Sequence, residues 1–254
     1  MLLAIGISNL LMTVGFYHSA TDKNVAVVSC IKDMTIDDFA IKLQSVSALY
    51  GENSIVENAI IASVVPSVTD MVAASVRYLY KVEPLIIGPG IKTGLDIRIN
   101  DPSELGADLV CMAAGAIAKY SLPVLLVNMG DTLTISYVDI NKRYTGTVIY
   151  AGMGNVLKTL VDNADLLKPV SLTAPQKILG ADTTDSIKSG VLFGTSFVVD
   201  GFINRIKSEY MCKSIIATGE FAPIVTPHCS NKMLLDKALF TDGLYHIFER
   251  QRRL

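Results

Sequence analysis

One pattern occurs twice in this chain, some 120 residues apart, and that repetition limits the possible folds more than any single motif. The first copy runs through the apolar stretch Leu2–Ile7, a turn of two or three residues, Leu11–Tyr17, and then Val25–Ile31. The second begins at Leu122: Val124–Asn128, a Gly130–Asp131 turn, Thr132–Asp139, a turn at Asn141–Lys142, and Thr145–Tyr150. Short apolar runs bounded by turn residues read as strands, and three in succession read as an antiparallel meander. A self-similar period of this size signals duplication of a whole structural unit.

Helical segments follow each meander. Thr35 with Asp38 forms a capping-box start for Ile36–Tyr50, and Gly51 is placed to end it. Asn58–Val65 returns as a buried strand. Ser67 and Asp70 are expected to cap a helix reaching about Lys81, and Pro84–Ile87 is a short strand before GPGIKTG. Ser103–Tyr120 reads as a capped helix. In the second half, helices are expected near Asn155–Leu167, over Thr184–Ser208 and from about Asp242, with a strand at Ser214–Ala217. Two similar α/β lobes facing a cleft are the expected architecture, divided as 1–120 and 121–254.

The 254 residues suffice for a sizeable core, and with 50% apolar and 18% charged residues the chain is globular. A formal net charge of -2 argues against a nucleic-acid footprint or a polybasic membrane patch. Polar, charged, Pro or Gly positions break every apolar run before the roughly 18 residues a membrane span needs. Leu2–Ile7 lacks a basic leader and reads as a core strand, not a signal peptide. The four cysteines, Cys30, Cys111, Cys212 and Cys229, show no metal-ligand spacing and suit a reducing cytoplasm. His18, His228 and His246 show no triad or ligand spacing.

Five segments in order carry a family resemblance: SVVPS (Ser63–Ser67), IGPGIKTGLDIR (Ile87–Arg98), ELGAD (Glu104–Asp108), DTTDSIKSG (Asp182–Gly190) and IATGEFAP (Ile216–Pro223). With them the chain resembles the type III pantothenate kinases of the actin–hexokinase superfamily over nearly its whole length. The resemblance implies two duplicated ribonuclease-H-like lobes, mixed five-stranded sheets with flanking helices, around a central cleft. It also implies ATP-dependent phosphorylation of pantothenate to 4'-phosphopantothenate in coenzyme A biosynthesis, with Mg²⁺ and K⁺, by a dimer.

Carried over by motif, Asp108 matches the catalytic base that takes the pantothenate hydroxyl proton. Read locally, it is a first-turn carboxylate complementing a helix dipole. Gly106 and Ala107 match small substrate-side positions. Thr183 matches a threonine contacting pantothenate, or else is a helix N-cap. Gly88–Gly94 shapes the substrate side, or is simply a turn.

Other positions depart from the family pattern. Its first phosphate turn, Asp-x-Gly-Asn-Thr, is Gly6-Ile7-Ser8-Asn9-Leu10 here, with only Asn9 kept. Gly6 has no oxygen to organise Mg²⁺, Ser8 replaces a glycine, and Leu10 replaces a hydroxyl donor. Sliding the register recovers no carboxylate; the nearest acid is Asp22. The second turn, Asp-x-Gly-Thr, is Asn128-Met129-Gly130-Asp131. Asn128 stands at the monovalent-cation position with an uncharged oxygen. Asp131 adds a negative group, which would cost about 1 to 4 kcal/mol against a phosphate charge ~4 Å away. The adenosine-side Thr-Gly-Gly is Thr218-Gly219-Glu220; Leu109 replaces a substrate-facing arginine and Ile99 an aromatic.

Three functions follow, in order of preference. The first is a catalytically degenerate subunit, a pseudoenzyme pairing with an intact paralogue through an inherited interface. The second is a standalone kinase with an altered nucleotide site, working as a homodimer. The third is a non-catalytic sensor of pantothenate or a related ligand. The apolar stretch Val191–Ile206, with Gly190, Gly194 and Ser196, is the expected pairing surface, or else a core helix.

Overall fold

The computed structural model describes residues 1–31, 33–52, 54–162, 170–175 and 177–253. They form two units: Met1–Lys119 with Ala238–Leu254, and Tyr120–Lys237.

In the first unit β1 (Leu2–Ile7), β2 (Leu11–Tyr17) and β3 (Lys23–Ser29) form the expected antiparallel meander. Two further strands, β4 (Asn58–Ser63) and β5 (Leu85–Ile86), add in parallel on the other side of β1, giving the five-stranded order β3-β2-β1-β4-β5. Alternation along β1 divides the core. Leu3, Ile5 and Ile7 meet α1 (Ile36–Tyr50) and α2 (Pro66–Tyr80) through Phe39, Leu43, Val68, Val72 and Val76. Leu2 and Ala4 point the other way, into a cluster with Val110 and Cys111 of α3 (Ala107–Lys119) and Leu244 and Ile247 of α7 (Leu239–Arg252). A two-residue strand, β6 (Asp96–Ile97), precedes α3.

The second unit repeats the arrangement. β7 (Val124–Met129), β8 (Thr132–Val138) and β9 (Arg143–Ala151) form its meander. Alongside β7 runs β10 (Ser214–Thr218), followed by β11 (Leu234–Leu235), both in parallel. The order β11-β10-β7-β8-β9 matches β5-β4-β1-β2-β3 strand for strand. Its core joins these strands to α4 (Met153–Asp162), α5 (Thr183–Glu209) and the short α6 (Ala222–Val225). The Asn155–Leu167 helix was expected to run past Asp162; residues 163–167 lie outside the described residues.

Several local expectations change. The Thr35 box forms in both directions, with Asp38 N–H donating to Thr35 Oγ1 at 3.2 Å and Thr35 N–H to Asp38 Oδ2 at 3.1 Å. Helix α2, by contrast, begins at Pro66 behind Val65, without a side-chain cap; Ser67 and Asp70 lie inside it. Proline at the first helical position needs no N–H partner and is already set at a helical φ. Before α3, Asp101 caps a short 3₁₀ turn, Pro102–Glu104, so Ser103 does not start the helix. The length of α5 also differs from the reading of broken apolar runs. It has 27 residues, and an 18-residue window of it reaches mean hydropathy 1.2, enough in length and composition to cross a membrane. Val191, Leu192, Val199 and Ile203 bury one side of it in the second core.

The last helix differs most. Residues from Ala238 were assigned by sequence to the second lobe, yet they pack with the first unit. Helices α3 and α7 touch backbone to backbone: a Cβ on Gly243 would lie 1.8 Å from the Cys111 carbonyl oxygen, and one on Gly115 would lie 2.6 Å from that of Leu239. Buried Asp242 completes the attachment. It accepts from Tyr17 Oη at 2.8 Å, from Lys119 Nζ at 2.5 Å and from Lys23 Nζ. Burial raises its pKa, but these donors outweigh that and hold it below the usual carboxylate value.

Candidate functional site

Each unit carries one turn where its first two strands meet. In the first, Ser8 spans the turn: its N–H donates to the Leu11 carbonyl at 2.8 Å, its hydroxyl donates to the same oxygen at 3.0 Å, and Leu11 N–H donates to Ser8 Oγ at 3.2 Å. Asn9 and Leu10 are exposed, and the Leu10 carbonyl accepts from Cys30 N–H at 2.7 Å. Gly6 shares the face of Leu2 and Ala4, toward α7. A Cβ there would stand 2.4 Å from Cε1 of Phe240. Phe240 was not picked out by the sequence reading; it lies far along the chain and carries no motif.

Elsewhere in that unit, the 106–109 segment opens α3. Asp108 lies in the first turn, its carboxylate folded back toward Gly106, where an added Cβ would meet Oδ1 at 2.5 Å. Ala107 is half-buried, and Leu109 is buried, at 8% exposure. Ile99 is half-buried in the stretch between β6 and the 3₁₀ turn. In the glycine loop, Gly90 and Gly94 have φ of +89° and +85°, so the backbone demands glycine at both.

In the second unit four of the expected positions come together. Gly219, with φ of +97°, presses β10 against the end of β7: a Cβ there would lie 2.6 Å from the Met129 carbonyl and 2.7 Å from Asn128 Oδ1. Gly130 N–H donates to the Thr132 carbonyl at 3.2 Å, and Phe221 N–H to that of Met129 at 2.9 Å. The backbone of Asp131 is held from behind. Asn155 Nδ2 donates to its carbonyl at 2.8 Å, and a Cβ on Gly152 would lie 2.2 Å from the same oxygen. The GMGN stretch Gly152–Asn155 thus supports the turn, and a glycine at a strand-to-helix junction was the signal that could have found it. Thr218 is buried and Glu220 exposed. Thr183 is the first residue of α5 and exposed; the capping role is taken by Asp182, which accepts from Asp185 N–H at 2.8 Å.

Tested against a magnesium–triphosphate, the first turn does not fit. It offers no anionic oxygen at Gly6, and an aromatic ring stands where such a side chain would be. In the second turn Asn128 offers an uncharged amide oxygen.

The type III pantothenate kinase family model matches residues 2–205. A type III pantothenate kinase of an Exiguobacterium species, strain AT1b, is 32% identical over 257 residues, covering all of both chains. Another, of Shouchella clausii, is 34% identical over 257 residues, covering 99% of this chain and all of the relative. Among solved structures, the ethanolamine utilization protein EutJ of Carboxydothermus hydrogenoformans has a TM-score of 0.59 at 11% identity, over 96% of this chain and 89% of that one. A ROK family glucokinase of Streptomyces griseus has 0.53 at 11%, over 99% of each. These structures share the actin–hexokinase fold with this chain. On sequence, across the full length of its relatives, the chain belongs to the type III pantothenate kinase family.

Proposed function

We propose that this chain is a catalytically degenerate member of its family, a subunit that acts in coenzyme A biosynthesis by pairing with an intact pantothenate kinase paralogue. The observation that carries this reading is the first turn, which has no oxygen-bearing side chain at Gly6 and no room for one beneath Phe240. Asp131 in the second turn supports it, since a carboxylate there opposes a polyphosphate. ATP, Mg²⁺ and K⁺ would then be held by the partner. Pairing through the outer face of α5 is supported by Gly190, Gly194 and Gly201, where an added Cβ meets nothing within 4 Å, and by Phe197 at 57% exposure between them. Four free thiols, buried or half-buried, favour a reducing cytoplasm.

A second reading, a standalone kinase working as a homodimer, is favoured by Asp108. That residue keeps the place of a general base at the start of α3, and the full-length relatives are described as pantothenate kinases. The two readings separate in one assay: pantothenate, ATP, Mg²⁺ and K⁺ with the purified chain alone, then with the intact homologue from the same genome. Turnover that requires the mixture, or is raised by it, is the expected result. Full turnover by the single chain would overturn the subunit reading. Inactivity in both, with pantothenate binding by calorimetry, would point to a sensor.

A further inference from the structure

We propose that Phe240 closes the first turn: its ring fills the space that any side chain at position 6 needs, so a metal–triphosphate is shut out by shape as well as by charge. This deepens the proposed function and rests on its reading of that turn as a phosphate turn.

The geometry is direct. From the position a Cβ would take on Gly6, three atoms of one ring lie at 2.4, 2.7 and 2.8 Å: Cε1, Cζ and Cδ1 of Phe240. Carbon atoms in folded proteins do not approach this closely, so a side chain at position 6 and the ring in this place exclude each other. A larger residue requires the ring to leave.

The ring is held in place from several directions. It packs against the cluster containing Leu2, Ala4, Val110 and Leu244, which is the core under this face of β1. Its backbone sits in the first turn of α7, where Leu239 is fully buried and its carbonyl lies against Gly115 of α3. Two residues later Asp242 is tied to Tyr17 on β2, Lys23 on β3 and Lys119 at the end of α3. After that, Gly243 meets the Cys111 backbone. A helix pinned at Leu239, Asp242 and Gly243 leaves the side chain between them few ways to turn aside.

The loss of a carboxylate at position 6 and the presence of a ring at position 240 are therefore one coupled feature. Replacing Gly6 by Asp alone does not rebuild a metal-organising turn; the ring must be removed as well.

A thermal double-mutant cycle tests the contact. Gly6→Ala is expected to lower Tm by about 5 °C in the unaltered chain and to cost little beside Phe240→Ala. Should Phe240→Ala not fold, Phe240→Leu serves as the second background. An equal cost of Gly6→Ala in both backgrounds, or no cost in either, overturns the contact.

A second measurement reads the exclusion itself. With ¹⁵N-labelled protein and Mn²⁺–ATP, selective paramagnetic broadening of the Ser8–Leu11 amides is expected in Gly6→Asp/Phe240→Ala and not in Gly6→Asp. Broadening in Gly6→Asp with the ring intact, or none in the double variant, overturns the exclusion. Failures remain distinguishable. Zero coupling in the cycle removes the ring from the account, and full turnover by the unaltered chain removes the subunit reading.

Discussion

At the end of β1, Gly6 faces an aromatic ring from a helix at the far end of the chain; at the end of β7, Gly219 and Gly152 bring backbone against backbone. The two turns descend from one repeated pattern, yet they depart from the family pattern by different physical routes. In the first, space is filled and the polar groups of Ser8 and Leu11 are spent on each other. In the second, the close approach of strands and the left-handed glycine remain, and the change is a carboxylate at Asp131. A duplicated scaffold thus constrains its copies unequally. The first turn lies beside α7, which joins its unit from far along the chain, so a change on that helix can reach it; the second is braced by residues close in sequence, Asn155 and Gly152.

The largest expected effect tests the bracing of the first turn. Gly243→Ala places a methyl group 1.8 Å from the Cys111 carbonyl oxygen, so α7 must separate from α3. Chemical denaturation should show a loss of about 4 kcal/mol. The control is Gly190→Ala on α5, with nothing within 4 Å, which should gain up to about 1 kcal/mol from helix propensity in the chain measured alone. Comparable effects from both would break the claim that α3 and α7 are locked by contact.

A middle-sized effect comes from Asp242→Asn. The Lys23 and Lys119 ammonium groups lose the Asp242 carboxylate, but they are 21% and 28% exposed, so water recovers part of the loss. About 2 kcal/mol at neutral pH is expected. The sign with pH follows from the carboxyl's depressed pKa. Its contribution is present above the ordinary value of 3.8 and is lost as pH falls through the folded value. The gap between parent and variant in a stability–pH profile should therefore narrow in acid; a constant gap would show that charge is not what Asp242 supplies.

The smallest effect sharpens the other half. Asp131→Thr should tighten any residual ATP binding about fivefold by calorimetry, the equivalent of ~1 kcal/mol for one charge near a phosphate in water. Unchanged affinity would mean that the second turn differs from the first in degree and not in kind.

Much of this fold is legible where the deciding contacts are local. The Thr35–Asp38 box and the two meanders each rest on residues near one another in the chain, and each forms as read. The start of α2 was misread because Ser67 and Asp70 imitate caps while Pro66 sets the boundary by its own ring. The grouping of α7 could not be read, because the glycines that let it meet α3, Gly115 and Gly243, are separated by the whole second unit. For the site, the missing carboxylate at position 6 was visible in the turn itself. Its counterpart was not, since Phe240 in a helix looks like any other apolar core residue until its ring is placed in space.

The first unit is interrupted: its sheet and α3 precede all of Tyr120–Lys237, and α7 follows. The apolar face formed by Leu2, Ala4, Val110 and Cys111 therefore stays open until α7 packs on it, however early the sheet and α3 come together. The attachment at Asp242 and Gly243 is thus what closes a long-range gap in the chain, covering apolar surface that the preceding part of the first unit cannot cover by itself.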